Sequence, residues 1–140
     1  MEIRQFRIAD EAATIDLWNR CGLLRPWNNP QKDIQRKLSV QPEMFLLGVQ
    51  GDKIIASVMA GYDGHRGWIY YLAVDPAFQK HGFGRKIMDE AEKLLRKMGC
   101  PKINLMIRES NIKAKDFYQS IGYSKDEVVS FGKRLDSDEV

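Results

Sequence analysis

The segment that most constrains this chain is Gln79-Lys80-His81-Gly82-Phe83-Gly84-Arg85-Lys86, because the hydrophobic period changes across it. Before it, Gly67 to Val74 is a continuous apolar run bounded by Asp63-Gly64 and Asp75-Pro76. Such a run reads as a central strand buried on both faces. After it, Ile87, Ala91, Leu94, Leu95 and Met98 recur at helical spacing, so a helix is expected from about Gly84 to Lys97, closed by Gly99. Ile103, Leu105 and Ile107 then alternate with Lys102, Asn104 and Met106 as a strand. Strand, glycine turn, helix and strand make a βαβ unit, and the crossover makes its two strands parallel.

The rest of the chain can be placed around that unit. Residues 2 to 8 alternate as a short strand. Asp10 is a candidate N-cap for a helix carrying Ala13, Leu17, Trp18 and Cys21 and ending at Gly22. Asn29-Pro30 reads as an N-cap followed by proline at the first helical position, with Ile34 and Leu38 facing inward. Met44 to Gln50 and Lys53 to Gly61 are β-rich runs separated by Gly51-Asp52, a hairpin signal. Ser110 or Asn111 caps a helix bearing Ala114, Phe117, Tyr118 and Ile121, with Gly122 past its end, and Val128 to Leu135 reads as a last strand. The expectation is one α/β (α+β) domain over residues 1–140, a mixed central sheet of about six to seven strands flanked by about four helices.

Composition removes several function classes. With 140 residues, 44% hydrophobic and 29% charged, the chain can bury a core and is too apolar for disorder. Its longest charge-free stretches are far short of the roughly 18 apolar residues of a membrane span. The start, Met1-Glu2-Ile3-Arg4-Gln5-Phe6-Arg7, lacks an apolar signal core, so a cytoplasmic location is expected, away from any membrane. Cys21 and Cys100 are then expected as thiols. A net charge of +3, with basic residues interleaved among acids, does not argue for nucleic acid. His65 and His81 have no zinc spacing, so no metal is expected.

A glycine-rich turn opening a helix leaves backbone N–H groups unpaired at the positive end of the helix dipole, which suits phosphate. Lys80, Arg85 and Lys86 add positive charge there. A P-loop is excluded, because Gly84 is followed by Arg85-Lys86-Ile87 with no hydroxyl for magnesium. A dinucleotide fingerprint is excluded by Ile87 at its third small position.

Two spaced motifs together resemble the GNAT superfamily of acetyl-CoA-dependent N-acetyltransferases. One is the turn with Gln79, Gly82 and Gly84; the other is the downstream helix with Asn111, Ala114, Phe117, Tyr118, Gly122 and Tyr123. The strand Leu72-Ala73-Val74-Asp75-Pro76 also looks typical, and the resemblance covers roughly residues 67 to 123. The chain is similar to short single-domain bacterial members of the YpeA type, and more distantly to enzymes that acetylate ribosomal-protein N-termini.

The resemblance implies an acyltransferase that moves the acetyl group of acetyl-CoA to a primary amine, a small molecule or a protein N-terminus, by direct attack in a ternary complex. It implies a pyrophosphate cradled by the turn, from Gln79, Lys80, His81, Gly82, Phe83, Gly84 and Arg85, with both glycines letting the backbone approach. It implies a pantetheine arm bonded to the main chain of Leu72 and Val74, where a bulge would aim an N–H at the thioester carbonyl. Asn111 and Phe117 are implied beside the cofactor, although Asn111 also fits a helix cap and Phe117 also fits the core. Tyr118 matches the general acid that protonates the departing thiolate.

The general base does not carry over, because the positions where relatives place a glutamate are approximately Trp68 and Met106. Glu109 lies past the strand end. Water near Tyr70, Tyr71 or His65, or an amine arriving neutral, would serve instead. The missing carboxylate leaves a second reading, a CoA-binding sensor or partner-binding module. The loop Leu23 to Asn29, with Trp27, is expected to shape the acceptor pocket; Trp27 equally fits a dimer contact, so a homodimer stays open.

Overall fold

A computed structural model of the chain describes residues 1–138. It contains strands β1 (Glu2–Gln5), β2 (Phe45–Gln50), β3 (Lys53–Tyr62), β4 (Gly67–Val74) and β5 (Ile103–Leu105). Its helices are α1 (Glu11–Arg20), α2 (Pro30–Leu38), α3 (Phe83–Lys97) and α4 (Ile112–Ser120). Local chemistry sets several boundaries as the sequence indicates. The Asn29 side chain accepts from Lys32 N–H at 3.1 Å with Pro30 opening α2, and the Asn111 side chain accepts from Ala114 N–H at 3.1 Å at the start of α4. Gly51-Asp52 joins β2 to β3 as an antiparallel hairpin.

The strands form one sheet in the order β1-β2-β3-β4-β5. All neighbours are antiparallel except β4 and β5, which the α3 crossover makes parallel. Strand alternation sends successive side chains to opposite faces. On one face Leu46, Ala56, Val58, Ala60 and Ile69 meet Ile87, Met88, Ala91 and Leu95 of α3 and Tyr118 of α4. On the other, Phe45, Leu47, Ile54, Met59 and Ala73 meet Leu17 and Trp18 of α1 and Ile34 of α2. The mixed α/β class and the four helices agree with the sequence reading.

Two expectations are corrected. The sheet has five strands among the described residues, not six to seven. The expected last strand, Val128 to Leu135, carries no strand pairing, because no neighbour within the chain meets its backbone. The strand buried on both faces is also not β4 but β3, whose residues Ile54 to Ala60 are all buried. β4 is half-exposed over Tyr70 to Leu72, because β5 leaves its side.

Candidate active site

The separation of β4 from β5 makes the site. The two strands pair only at Gly67–Ile103, Trp68–Asn104 and Ile69–Leu105, while β4 continues to Val74. Beyond Ile69 the β5 side of β4 is therefore open. On the β3 side the ladder slips: Met59 pairs with Tyr70 and Ser57 with Ala73, so Tyr71 and Leu72 together oppose Val58. This is a β-bulge, with Tyr71 in the left-handed region at φ 52°. Asp75 N–H bonds Ile55 O on β3 at 2.8 Å. Main-chain groups alternate along a strand, so those of Val74 and Leu72 turn toward the open side.

A non-glycine residue at positive φ persists only when its surroundings hold it. Here the holding groups are buried. Trp18 Nε1–H donates to Ser57 Oγ at 2.9 Å, and Ser57 Oγ–H donates to Tyr71 O at 2.8 Å. The Tyr71 ring stacks on Trp18 at 3.8 Å between centroids, and its hydroxyl donates to Asp33 Oδ2 at 2.7 Å. Burial, then the Asp33 carboxylate, raises the Tyr71 pKa above its ordinary value. None of Trp18, Ser57 and Asp33 is singled out by motif. A usable signal was present for Ser57, a lone hydroxyl inside an apolar strand, since a buried polar side chain calls for partners.

At the end of β4 the expected turn residues come together. Asp75 is 3% exposed. Its carboxylate accepts from Ala77 N–H at 2.9 Å and from Arg20 at 2.9 Å, with Lys53 at 3.6 Å. The Ala77 N–H, then Arg20 and Lys53, hold its pKa below the usual carboxylate value. Gln79 does not face outward alone: its Nε2 donates to Val74 O at 3.0 Å, and that carbonyl also takes the Cys21 thiol at 3.3 Å. Val74 thus keeps its N–H, not its carbonyl, for the open side. Gly82 has φ 77° and precedes α3. The first bond of that helix is Lys86 N–H to Gly82 O, so the N–H groups of Phe83, Gly84 and Arg85 lack intrahelical acceptors. Lys80, His81 and Arg85 are exposed around them, and His81 stacks near Phe83 at 5.7 Å.

Gly84 also meets a packing requirement. A Cβ there would sit 3.1 Å from the Phe117 ring and 3.6 Å from Val74. Its hydrogen thus lets Phe117 of α4 close over the start of α3, tying Val74, Gly84 and Phe117 into one unit.

Tyr118, one residue on, is 8% exposed and sits edge-on to Phe117 at 5.2 Å and Tyr123 at 5.6 Å. Burial raises its pKa above the ordinary 10.0. Its hydroxyl has no hydrogen-bond partner among the described residues, whereas Tyr123 OH donates to Glu92 at 2.7 Å. Tyr118, Asn111 and Leu72 line one long cleft together with Tyr70, Tyr71 and Asp33. The Asn111 carbonyl oxygen is used by the helix cap, which leaves its amide as a donor.

Trp68 and Met106 bring no carboxylate: Trp68 Nε1–H donates to Asp63 at 3.2 Å and Met106 is 61% exposed. Leu23, Arg25 and Asn28 of the α1–α2 loop also line the cleft, and the Arg108 guanidinium stands 5.1 Å from the ring of Trp27 in that loop. Among the described residues no cluster of His, Cys, Asp and Glu could hold a metal, and no helix is long and apolar enough to cross a membrane. Cys21 and Cys100 are free thiols.

Comparison with known proteins follows the same outline. The model of the acetyltransferase (GNAT) family matches residues 8–123. An acetyltransferase of Pectobacterium atrosepticum is 48% identical over 138 residues, 99% of this chain and 98% of that protein. One of Yersinia enterocolitica is 47% identical over 135 residues, 96% of each. Among solved structures, the aminoglycoside acetyltransferase AAC(6')-Iy with a bisubstrate analogue superposes with TM-score 0.77 at 15% identity, covering 96% of this chain and 98% of that one. The ribosomal-protein-S18-alanine N-acetyltransferase of Escherichia coli gives TM-score 0.74 at 24% identity, covering 89% and 78%. Those two likenesses speak for the fold, and the sequence matches speak for kinship: this chain belongs to the GNAT family of acetyltransferases.

Proposed function

We propose that the chain moves the acetyl group of acetyl-CoA to a primary amine, a small molecule or a peptide N-terminus, by direct attack within a ternary complex. The observation that carries this reading is the open side of β4 beyond Ile69, with its bulge at Tyr71-Leu72 and the unbonded Tyr118 hydroxyl in the same cleft. Bound there, acetyl-CoA supplies an acetyl group activated as a thioester. The free N–H groups of Phe83, Gly84 and Arg85, with Lys80 and Arg85 beside them, suit its pyrophosphate. The β4 edge at Leu72 and the N–H of Val74 suit the amide-bearing arm, Gln79 holds that edge through Val74 O, and the Asn111 amide is a further donor. His81 and Phe83 flank the turn, and Phe117 closes the floor behind it.

At the bulge a main-chain N–H directed into the opening stabilises negative charge as it develops on the carbonyl oxygen. Tyr118, protonated at neutral pH by the direction of its shift, hydrogen-bonds the leaving sulfur and delivers its proton. Neither Trp68 nor Met106 is itself a carboxylate, so the attacking amine either gives its proton to water near Tyr70 and Tyr71 or arrives already neutral. That requirement favours acceptors with a low pKa, such as an α-amine near 8 rather than a lysine near 10.4, as rough values. Two structural neighbours named for acetylating an aminoglycoside and an alanine of a ribosomal protein support both acceptor classes equally.

The test is an acceptor screen read as free thiol released from acetyl-CoA, run on N-terminal peptides, aminoglycosides and polyamines. Turnover on an amine that is lost in Tyr118→Phe supports the reading. Binding of acetyl-CoA with no turnover on any class would replace it by the sensor reading.

A further inference from the structure

The cleft carries positive charge that nothing in the chain neutralises. Eight Lys and Arg residues line it against four Asp and Glu. Three of those acids are engaged. Asp33 accepts from the Tyr71 hydroxyl and from Arg36, Glu92 accepts from the Tyr123 hydroxyl and pairs with Arg96, and Asp126 accepts from Lys102 and Asn104. Lys37 and Lys115 donate to main-chain carbonyls. Glu109 and Lys125 have no ion pair among the described residues, and their opposite charges cancel. The remaining positive charge belongs to Arg25 and Arg108.

Both guanidiniums are held in ways that leave donors free. Arg25 Nη1 donates to Gly22 O at 2.8 Å and to Leu24 O at 2.9 Å. Arg108 stands over the Trp27 ring at 5.1 Å, a contact that uses its charge and none of its N–H groups. A guanidinium has five N–H donors in a rigid fork. Those that Arg25 has left, and all of those on Arg108, have no acceptor among the described residues. Their place is beside the bulge. Ile69 pairs with Leu105, and three residues further on in each segment stand Leu72 and Arg108. Arg25 follows α1, whose capping residue Cys21 is tied to Val74 O at 3.3 Å. Phe83, Gly84 and Arg85, whose N–H groups suit the pyrophosphate, lie outside the lining of this cleft.

We propose that the acceptor carries a carboxylate close to its amine, bound by Arg25 and Arg108, as a free amino acid or the acidic first residues of a peptide would supply. This assignment rests on the acetyl-transfer reading and narrows it. The planar fork of a guanidinium matches the two oxygens of a carboxylate, and the charge strengthens each hydrogen bond. With the anion held between the α1–α2 loop and the end of β5, the amine of the same molecule meets the bulge at Tyr71-Leu72. A polyamine or an aminoglycoside brings further positive charge to two guanidiniums without a counter-charge, so the same pair discriminates against it.

Matched acceptors test it, with thiol release from acetyl-CoA as the readout. One arm sets free amino acids against their amides; the other sets short peptides with glutamate after the N-terminal residue against the same peptides with glutamine; spermidine and kanamycin serve as polycations. The expected result is a kcat/KM at least about tenfold higher for the acid members of one arm, which also tells the two sources apart. Arg108→Gln should raise KM at least about tenfold more for the acid than for its neutral match, Arg25→Gln should act in the same direction, and Arg108→Glu should invert the preference. Arg108 is exposed, so thermal melting should show its variants folded. Preference for the neutral members or the polycations, or equal losses for acid and neutral match in the variants, would overturn the proposal and leave acetyl transfer standing. A raised KM for acetyl-CoA with acceptor KM unchanged would overturn it by assigning the guanidiniums to the cofactor. Acetyl-CoA binding with no turnover on any acceptor would remove the transfer reading and this inference with it.

Discussion

Ser57 holds the bulge of β4 through the Tyr71 carbonyl at 2.8 Å while it receives the Trp18 indole N–H at 2.9 Å. A left-handed residue inside a strand is thereby fixed by a side chain on the neighbouring strand and a helix on the far face. Ser57→Ala leaves the indole donor and the carbonyl without their buried partner, at a cost of about 2 kcal/mol in urea unfolding. It should also lower kcat about tenfold, with a smaller change in KM for acetyl-CoA, because the bulge N–H loses its aim. A loss of stability with unchanged kcat would confine Ser57 to packing.

Tyr118→Phe removes one hydroxyl that has no partner among the described residues, so thermal stability should stay within about 0.5 kcal/mol of the parent. Turnover should fall at least about tenfold while acetyl-CoA affinity is retained. Steady-state kinetics and calorimetric titration on the same preparation separate the two quantities. Unchanged turnover would take Tyr118 out of the mechanism.

The pH dependence of the rate follows from the same residue. Its pKa lies above the ordinary 10.0, so the proton it donates stays on through the range in which the acceptor amine deprotonates. The profile of kcat/KM should rise with pH as that amine becomes neutral and show no descending limb below about 10 from loss of the acid. A bell with a descending limb near neutrality would require a different acid.

Asp75 links the end of β4 to Arg20 and Lys53 and is held below the usual carboxylate pKa, first by the Ala77 N–H. A carboxylate of that kind adds stability that is fully present above the unfolded value near 3.8 and is lost as pH falls through the folded value. Asp75→Asn should therefore be less stable than the parent at neutral pH, and the gap should narrow on acidification below 3.8. Urea midpoints at the two pH values measure it. A constant gap would mean that the charge of Asp75 contributes nothing.

Thr14 on α1 is fully buried, and its hydroxyl oxygen is the one buried side-chain polar atom without a partner among the described residues. Thr14→Val keeps the shape and removes that atom, so it should stabilise the fold by about 1 kcal/mol in thermal or urea melts. Destabilisation would point to a partner for the hydroxyl that the structure does not contain.

What could be read from the sequence is what local chemistry decides. Asn29-Pro30 and Asn111 carry their cap partners within three residues, and the switch of period at Gln79–Lys86 locates the crossover without any knowledge of the rest. The bulge was legible only through the family resemblance, since nothing in Tyr70-Tyr71-Leu72 announces a left-handed residue; Trp18 and Ser57, distant in sequence, impose it. The alternation of Val128–Leu135 says that the segment suits a sheet and nothing about whether a neighbour is on hand in the same chain, and the expected strand failed for that reason. Gly84 was legible as a glycine, but its contact with Phe117 was not, because that contact joins two helices that no local pattern relates.

The central claim is that the open side of β4 and the N-terminus of α3 hold acetyl-CoA, and calorimetric titration of the chain with acetyl-CoA, alongside Gly82→Asp, tests it most directly. Gly82→Asp puts a side chain and a negative charge at a left-handed position beside the free N–H groups, so its folding is checked first by thermal melting. Micromolar binding by the parent, weakened at least about tenfold in a folded variant, is the predicted result. No binding at millimolar acetyl-CoA, or equal binding by both proteins, would contradict the account.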